Sequence, residues 1–225
     1  MVRHAVVGFA ALALLALVAF WPSYVARWSG VGAPVHAHAA TMTAWMALLV
    51  AQAGLMRGGR RAAHLRLGRA SYVLAPLAVL ATLALAVHVV REAPAPIPGE
   101  TLYFLYVQAS LTAVFAFAWT QAIRHRATAH LHAAYMTGTA LALVDPVAGR
   151  LLHYAWGIEA PLMQVLTYGV VDATLVALLL HERSRPARQR AYPTLLGAFL
   201  VAQLPTFFLH RTSGWRAFAE AIAGR

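Results

Sequence analysis

The sequence predicts an all-α integral membrane protein: a single bundle of seven transmembrane helices, with the N-terminus cytoplasmic and the C-terminus outside. Three observations lead there. Of the 225 residues, 61% are hydrophobic and only 11% are charged, whereas soluble domains are about a quarter charged. The apolar residues gather into seven runs, each close to the ~20 residues needed to cross a bilayer. Arginines fill the gaps between runs, and their density alternates from loop to loop.

The first run, Ala5–Phe20, follows Arg3 and so resembles a signal peptide. No small-x-small cleavage site follows it, and Trp21-Pro22-Ser23-Tyr24 reads as the interfacial end of a retained helix. The second run, Ala37–Met56, places His38, Met42, Trp45 and Gln52 on one helical stripe. The third and fourth runs, Ser71–Val90 and Thr101–Ile123, are almost uninterrupted. The fifth, Leu131–Leu152, contains Asp145-Pro146, and the proline removes a backbone donor and predicts a kink. The sixth, Pro161–Leu180, carries Gln164, Tyr168 and Asp172 at steps of four, and Tyr192–Leu209 completes the set. None alternates with period two, so a membrane β-barrel is not expected. Short loops leave no room for a soluble domain, and residues 1–225 read as one transmembrane domain.

Charge sets the orientation. All 18 basic residues are arginine. The second, fourth and sixth loops hold eleven of them, in Arg57–Arg69, around Arg124 and Arg126, and in Glu182–Ala191. The first, third and fifth loops hold two, Arg27 and Arg91, with Glu92, Glu100 and Glu159. The even loops are therefore expected in the cytoplasm, although the tail carries Arg211, Arg216 and Arg225 on the opposite side. The net charge of +11 suits lipid phosphates rather than nucleic acid, because no basic face carries interleaved aromatics. The arginine-only, alanine-rich usage fits a bacterial inner-membrane protein. With no cysteine, disulfides, iron–sulfur clusters and covalent c-type haem are excluded.

Chemistry is sought in polar residues that hydrocarbon penalises. Eleven histidines lie almost entirely at helix ends. His36, His38, His88, His153 and His210 fall toward the outer face, and His4, His64, His125, His130, His132 and His181 toward the inner. Imidazole suits the headgroup region by itself, which is the reading for His4, His125, His181 and His210. For the rest, bis-histidine haem b needs two imidazoles on different helices at one depth. The candidates are His38 with His88 or His153 outside, and His64 with His130 or His132 inside. A divalent metal needs three or four ligands, for which His36, His38, His153 and Asp145 are the outer-side set. Asp145 and Asp172 lie inside runs and are expected to pair across helices, as Asp172–Arg150 or Asp145–Tyr168.

Two segments carry a resemblance. One is His38-x13-Gln52 followed by Arg57-Gly-Gly-Arg-Arg-Ala-Ala-His64-Leu-Arg-Leu-Gly68-Arg69-Ala-Ser-Tyr72; the other is His130-Leu-His132-Ala-Ala-Tyr-Met136 with Asp145 and Gly149-Arg150 beyond it. Together they resemble the uncharacterised bacterial membrane family known as domain of unknown function 2306. Leu65 and Tyr135 depart from its pattern. The resemblance implies a polytopic membrane protein and singles out His38, His64, His132 and Arg150. The family is loosely similar in layout to b-type membrane cytochromes.

The leading expectation is thus a membrane redox protein that binds haem b or a metal through interfacial histidines. The alternatives are a metal-dependent membrane hydrolase, a proton or small-solute transporter using Asp145 and Asp172, and a structural subunit of a membrane complex. The bilayer is the expected partner, with a membrane complex or a second copy as further possibilities. No nucleotide-binding glycine loop, His-Glu-x-x-His helix or Gly-x-Ser-x-Gly elbow occurs.

Overall fold

A computed structural model describes residues 2–182 and 191–225, and every regular element among them is helical. In chain order the α-helices are α1 (Val2–Phe20), α2 (Ala33–Arg57), α3 (Arg61–Gly68), α4 (Ser71–Glu92), α5 (Gly99–Arg124), α6 (Ala129–Leu141), α7 (Val144–Trp156), α8 (Leu162–Glu182), α9 (Ala191–Gln203) and α10 (Ser213–Ala223), with a 3-10 helix, Val25–Gly30, between α1 and α2. Short 3-10 turns extend α9 as far as Arg211. The four arginines expected in the sixth loop lie at 183–190, outside the described residues.

Among the described residues, five stretches are long and apolar enough to cross a membrane: Ala33–Arg57, Ser71–Glu92, Gly99–Arg124, Leu162–Glu182 and Ala191–Arg211. The other two expected runs differ. The first forms a shorter apolar helix, Ala5–Phe20. The fifth is not one helix but two, α6 and α7, broken at Ala142-Leu143. Pro146 has no N–H to offer the carbonyl of Ala142, and its ring crowds that carbonyl, so the ladder cannot run through. The halves then take different neighbours: α6 lies against α5 and α9, and α7 against α1 and α8. At its far end α7 stops on Gly157, whose φ of 63° only glycine adopts freely. The amides of Gly157 and Ile158 return to the carbonyls of His153 and Leu152 at 2.9 and 3.2 Å.

Helix α5 is the axis of the bundle. Phe115, Ala118 and Ala122 share one buried cluster with Trp45 and Leu49 of α2, Ala134 and Tyr135 of α6, Leu175 of α8, and Leu195 and Phe199 of α9. Trp45 is fully buried, edge-on to Phe115 at 5.0 Å. Gly138 lets α6 approach closely, since a Cβ there would lie 2.5 Å from Leu195 and 3.2 Å from Ala118. The outer surface is studded with Leu14, Val73, Leu80, Val170, Leu180 and Val201, all more than half exposed. Water would penalise such a belt, and lipid covers it at no cost.

The ends of the bundle are polar and sealed differently. At one end α10 folds back over the α4–α5 loop. The indole N–H of Trp215 donates to the Leu102 carbonyl at 2.9 Å, Arg216 to Ile97 at 2.9 Å and Arg225 to Ala93 at 2.6 Å, while Arg91 reaches the Ile222 carbonyl. Two of the three tail arginines are thus occupied in capping loop carbonyls. At the other end, α3 and the start of α6 meet through His64 and His132.

Candidate functional site: two polar layers in the helix bundle

The first layer surrounds the α6–α7 break. Asp145 is 6% exposed and lies in the first turn of α7, where unpaired amides favour a carboxylate. One of its oxygens accepts from the Gln164 amide at 2.5 Å and from the Thr167 hydroxyl, both on α8. The Tyr103 hydroxyl donates to the Gln164 carbonyl oxygen at 2.8 Å, which orients that amide with its NH2 toward Asp145. The chain of donors runs Tyr103 to Gln164 to Asp145, and all three residues are buried.

His38 stands nearby. Its Nδ1 is 3.0 Å from the Thr82 hydroxyl, which already donates to the Ala78 carbonyl at 2.7 Å. Thr82 must therefore accept, so Nδ1 carries the proton and Nε2 keeps a free lone pair. Arg150 is within electrostatic reach of both His38 and Asp145. It bonds neither: its guanidinium donates to the Pro146 carbonyl at 3.1 Å and stacks over the Phe20 ring at 4.1 Å.

The acid pairs expected from sequence are not the ones that form. Asp145 takes Gln164 and Thr167 rather than Tyr168, which bonds Thr206 at 2.9 Å. Asp172 accepts from Gln203 at 3.0 Å rather than from Arg150. The reason is helical phase. Tyr168 and Asp172 share a stripe with Gln164, but α7 covers the end of α8 at Gln164 and Thr167, while α9 and its extension cover Tyr168 and Asp172.

Nor do the outer histidines assemble. His36 bonds Tyr24 at 3.0 Å and packs on Trp28, His88 lies beside Gly32, and His153 packs edge-on to Tyr154. Among the described residues, no three His, Cys, Asp or Glu side chains converge as a metal would require, so His36, His38, His153 and Asp145 do not make one ligand set.

The second layer lies at the α3 end. His64 and His132 stand edge-on to one another, with ring centroids 6.4 Å apart and planes at 88°. His132 Nδ1 is 2.9 Å from the Ala122 carbonyl, which can only accept. That fixes the proton on Nδ1 and frees Nε2 for another partner. The Nδ1 of His64 is buried with no hydrogen-bond partner among the described residues. Burial holds the His64 ring below its usual 6.5, and the neighbouring His132 and Arg61 act the same way against a raising contribution from the Gln52 backbone. Gln52 is 9% exposed, its amide packs on Gly68, and both its polar atoms lack partners among the described residues. His130 makes an interaction of its own.

Sequence reasoning missed Tyr103, Thr82 and Thr167. Each is a polar side chain within an apolar run, a signal that was present but weak, since threonine bonds its own helix backbone readily. Fold and site together define a helical bundle with membrane-spanning segments and a hydrogen-bonded polar interior. Compared with protein-family models, with curated proteins and with solved structures, the chain finds no match in any of the three.

Proposed function

We propose that this chain is a seven-crossing inner-membrane redox protein that holds haem b between His64 and His132. The observation that carries the reading is the disposition of those two rings. Imidazoles bound on opposite sides of one ion, at about 2.0 Å per bond, keep their centres roughly 6 Å apart, and these stand at 6.4 Å. A bare ion needs more protein ligands than two. Two protein ligands would suffice for haem b, which would bring nitrogens of its own, so the His64 and His132 pair favours haem b over a divalent metal here. His132 is already oriented by Ala122, as an axial imidazole is by its second hydrogen bond. An apolar groove of about 320 Å³ between α4 and α5, walled by Pro76, Val79, Phe115 and Trp119, opens one turn along α5 from Ala122. His64 and His132 would hold haem b, which would supply a one-electron carrier when bound.

The seven crossings are the five long helices, α1, and α6 with α7 acting as one broken crossing. The Arg57–Arg69 segment then lies in the cytoplasm, and α10 on the outer face. This orientation rests on the loop charges and puts the His64–His132 layer on the cytoplasmic side.

A second reading, movement of a proton or small solute, is favoured by a different observation. A helix broken beside a buried carboxylate is how many transporters build a site at the bilayer midplane. Here the carboxylate is Asp145.

The experiment is purification of the native sequence and the His132→Ala variant in mild detergent, with haem quantified by extraction. The proposal expects haem in the former and its loss from the latter at equal membrane yield. Equal haem in both excludes His132 as ligand. Absence of haem from both leaves the Asp145 reading.

A further inference from the structure

Arg150 carries a charge that no ion pair among the described residues takes up, with Asp145 acting on it only at a distance. It lies on α7, five residues beyond Asp145 and so about 140° around the helix axis, and Asp145 is turned away toward α8. Of the guanidinium's five donors, the structure engages one, on the Pro146 carbonyl of its own helix. The Phe20 ring covers one face. No carboxylate among the described residues comes within ion-pair distance. An arginine held this way in an apolar setting is costly unless an anion completes it.

A groove meets it. Between the end of α1 and the outer half of α7 lies an open trough of about 180 Å³, with Arg150 in its wall beside Val18, Pro22, Leu151, Tyr154 and Ala155. Its walls are otherwise almost entirely apolar. Val18 and Tyr154 are 61% and 51% exposed, so the trough faces the surroundings of the bundle. A hydrated inorganic anion has nothing to gain from such walls. An acyl chain does, and a phosphate attached to that chain reaches the guanidinium, the geometry that arginine's planar fork suits best. The neighbouring Trp21 and Trp28, both more than half exposed, mark the headgroup level at this end of α1.

We infer that the α1–α7 groove is a binding site for an anionic phospholipid, with Arg150 holding the phosphate and the apolar walls receiving a chain. The site is independent of the His64–His132 layer, so its success or failure says nothing about haem.

The test uses the full chain in mild detergent. Thermal unfolding is followed with added phosphatidylglycerol, phosphatidylcholine or inorganic phosphate, and bound lipid is counted by native mass spectrometry. Phosphatidylglycerol is expected to raise the Tm and to remain bound, whereas the other two do neither. Arg150→Gln is expected to weaken its retention about fivefold or more, the effect of one basic group on an anionic lipid surface. Ala155→Phe, which fills the trough and leaves the charge, should lose retention as well, and it decides the matter should Arg150→Gln fail to fold. Undiminished phosphatidylglycerol binding in these variants overturns the inference. So does an equal response to phosphatidylcholine or to inorganic phosphate.

Discussion

A carboxylate in an apolar bundle persists only when its oxygens are occupied, and Asp145 takes two donors from α8. Replacing it by leucine removes the acceptor that the Gln164 amide and the Thr167 hydroxyl share and leaves them only each other, at a cost of about 1–3 kcal/mol. Asp145→Asn keeps an acceptor and should cost clearly less, so the Tm of the two variants in detergent checks the hydrogen-bond account. His64 makes a different prediction. Its folded-state value is lowered from 6.5 by burial, so below about pH 6.5 the unfolded chain takes up a proton that the folded chain resists. Stability present above that pH is therefore lost as pH falls toward the folded value. The Tm of the native sequence should drop on acidification through this window, and His64→Gln should flatten the dependence. Protonation also removes the lone pair that a ligand needs, so cofactor retention should fall in the same direction.

Among the elements, the closest packing is where α6 crosses α5 and α9. Leu195 has no exposure through which to retreat from a side chain at position 138, and Ala118 cannot move without its helix. Gly138→Val should cost about 1–3 kcal/mol by overpacking, read as a lowered Tm. Hydropathy located the long helices within a few residues: Ser71–Val90 became Ser71–Glu92, and Thr101–Ile123 became Gly99–Arg124. Asp145-Pro146 marked the weak point of the fifth run, but a kink and a full break share the same local chemistry. Which one occurs depends on whether α1 and α8 pull the second half away from α5. Helices α3 and α10 were not legible at all, because their arginine and polar content hides them from an apolar-run reading. His64 and His132 were both visible as candidates; that they meet depends on how α3 tucks beneath α6, and no spacing reports that. The partners of Asp145 and Asp172 failed for a related reason. Periodicity names the stripe a residue shares but not the helix that covers it.

At the scale of the whole molecule, the two polar layers sit toward opposite ends of one apolar bundle, and the proposed orientation assigns them to opposite sides of the membrane. The cysteine-free sequence makes this direct to check. A single cysteine in place of Arg60 should be labelled by impermeant maleimide only after the membrane is opened, and one in place of Glu100 in intact spheroplasts. Labelling in the reverse order would invert the topology and move the His64–His132 layer outside. What that layer holds decides the function. Its most direct test is an absorption spectrum of detergent-purified protein, oxidised and then dithionite-reduced. A b-type α-band is expected on reduction at about one haem per chain, lost in both His64→Ala and His132→Ala. A featureless spectrum from protein that was folded and expressed in haem-replete cells would contradict the haem b reading.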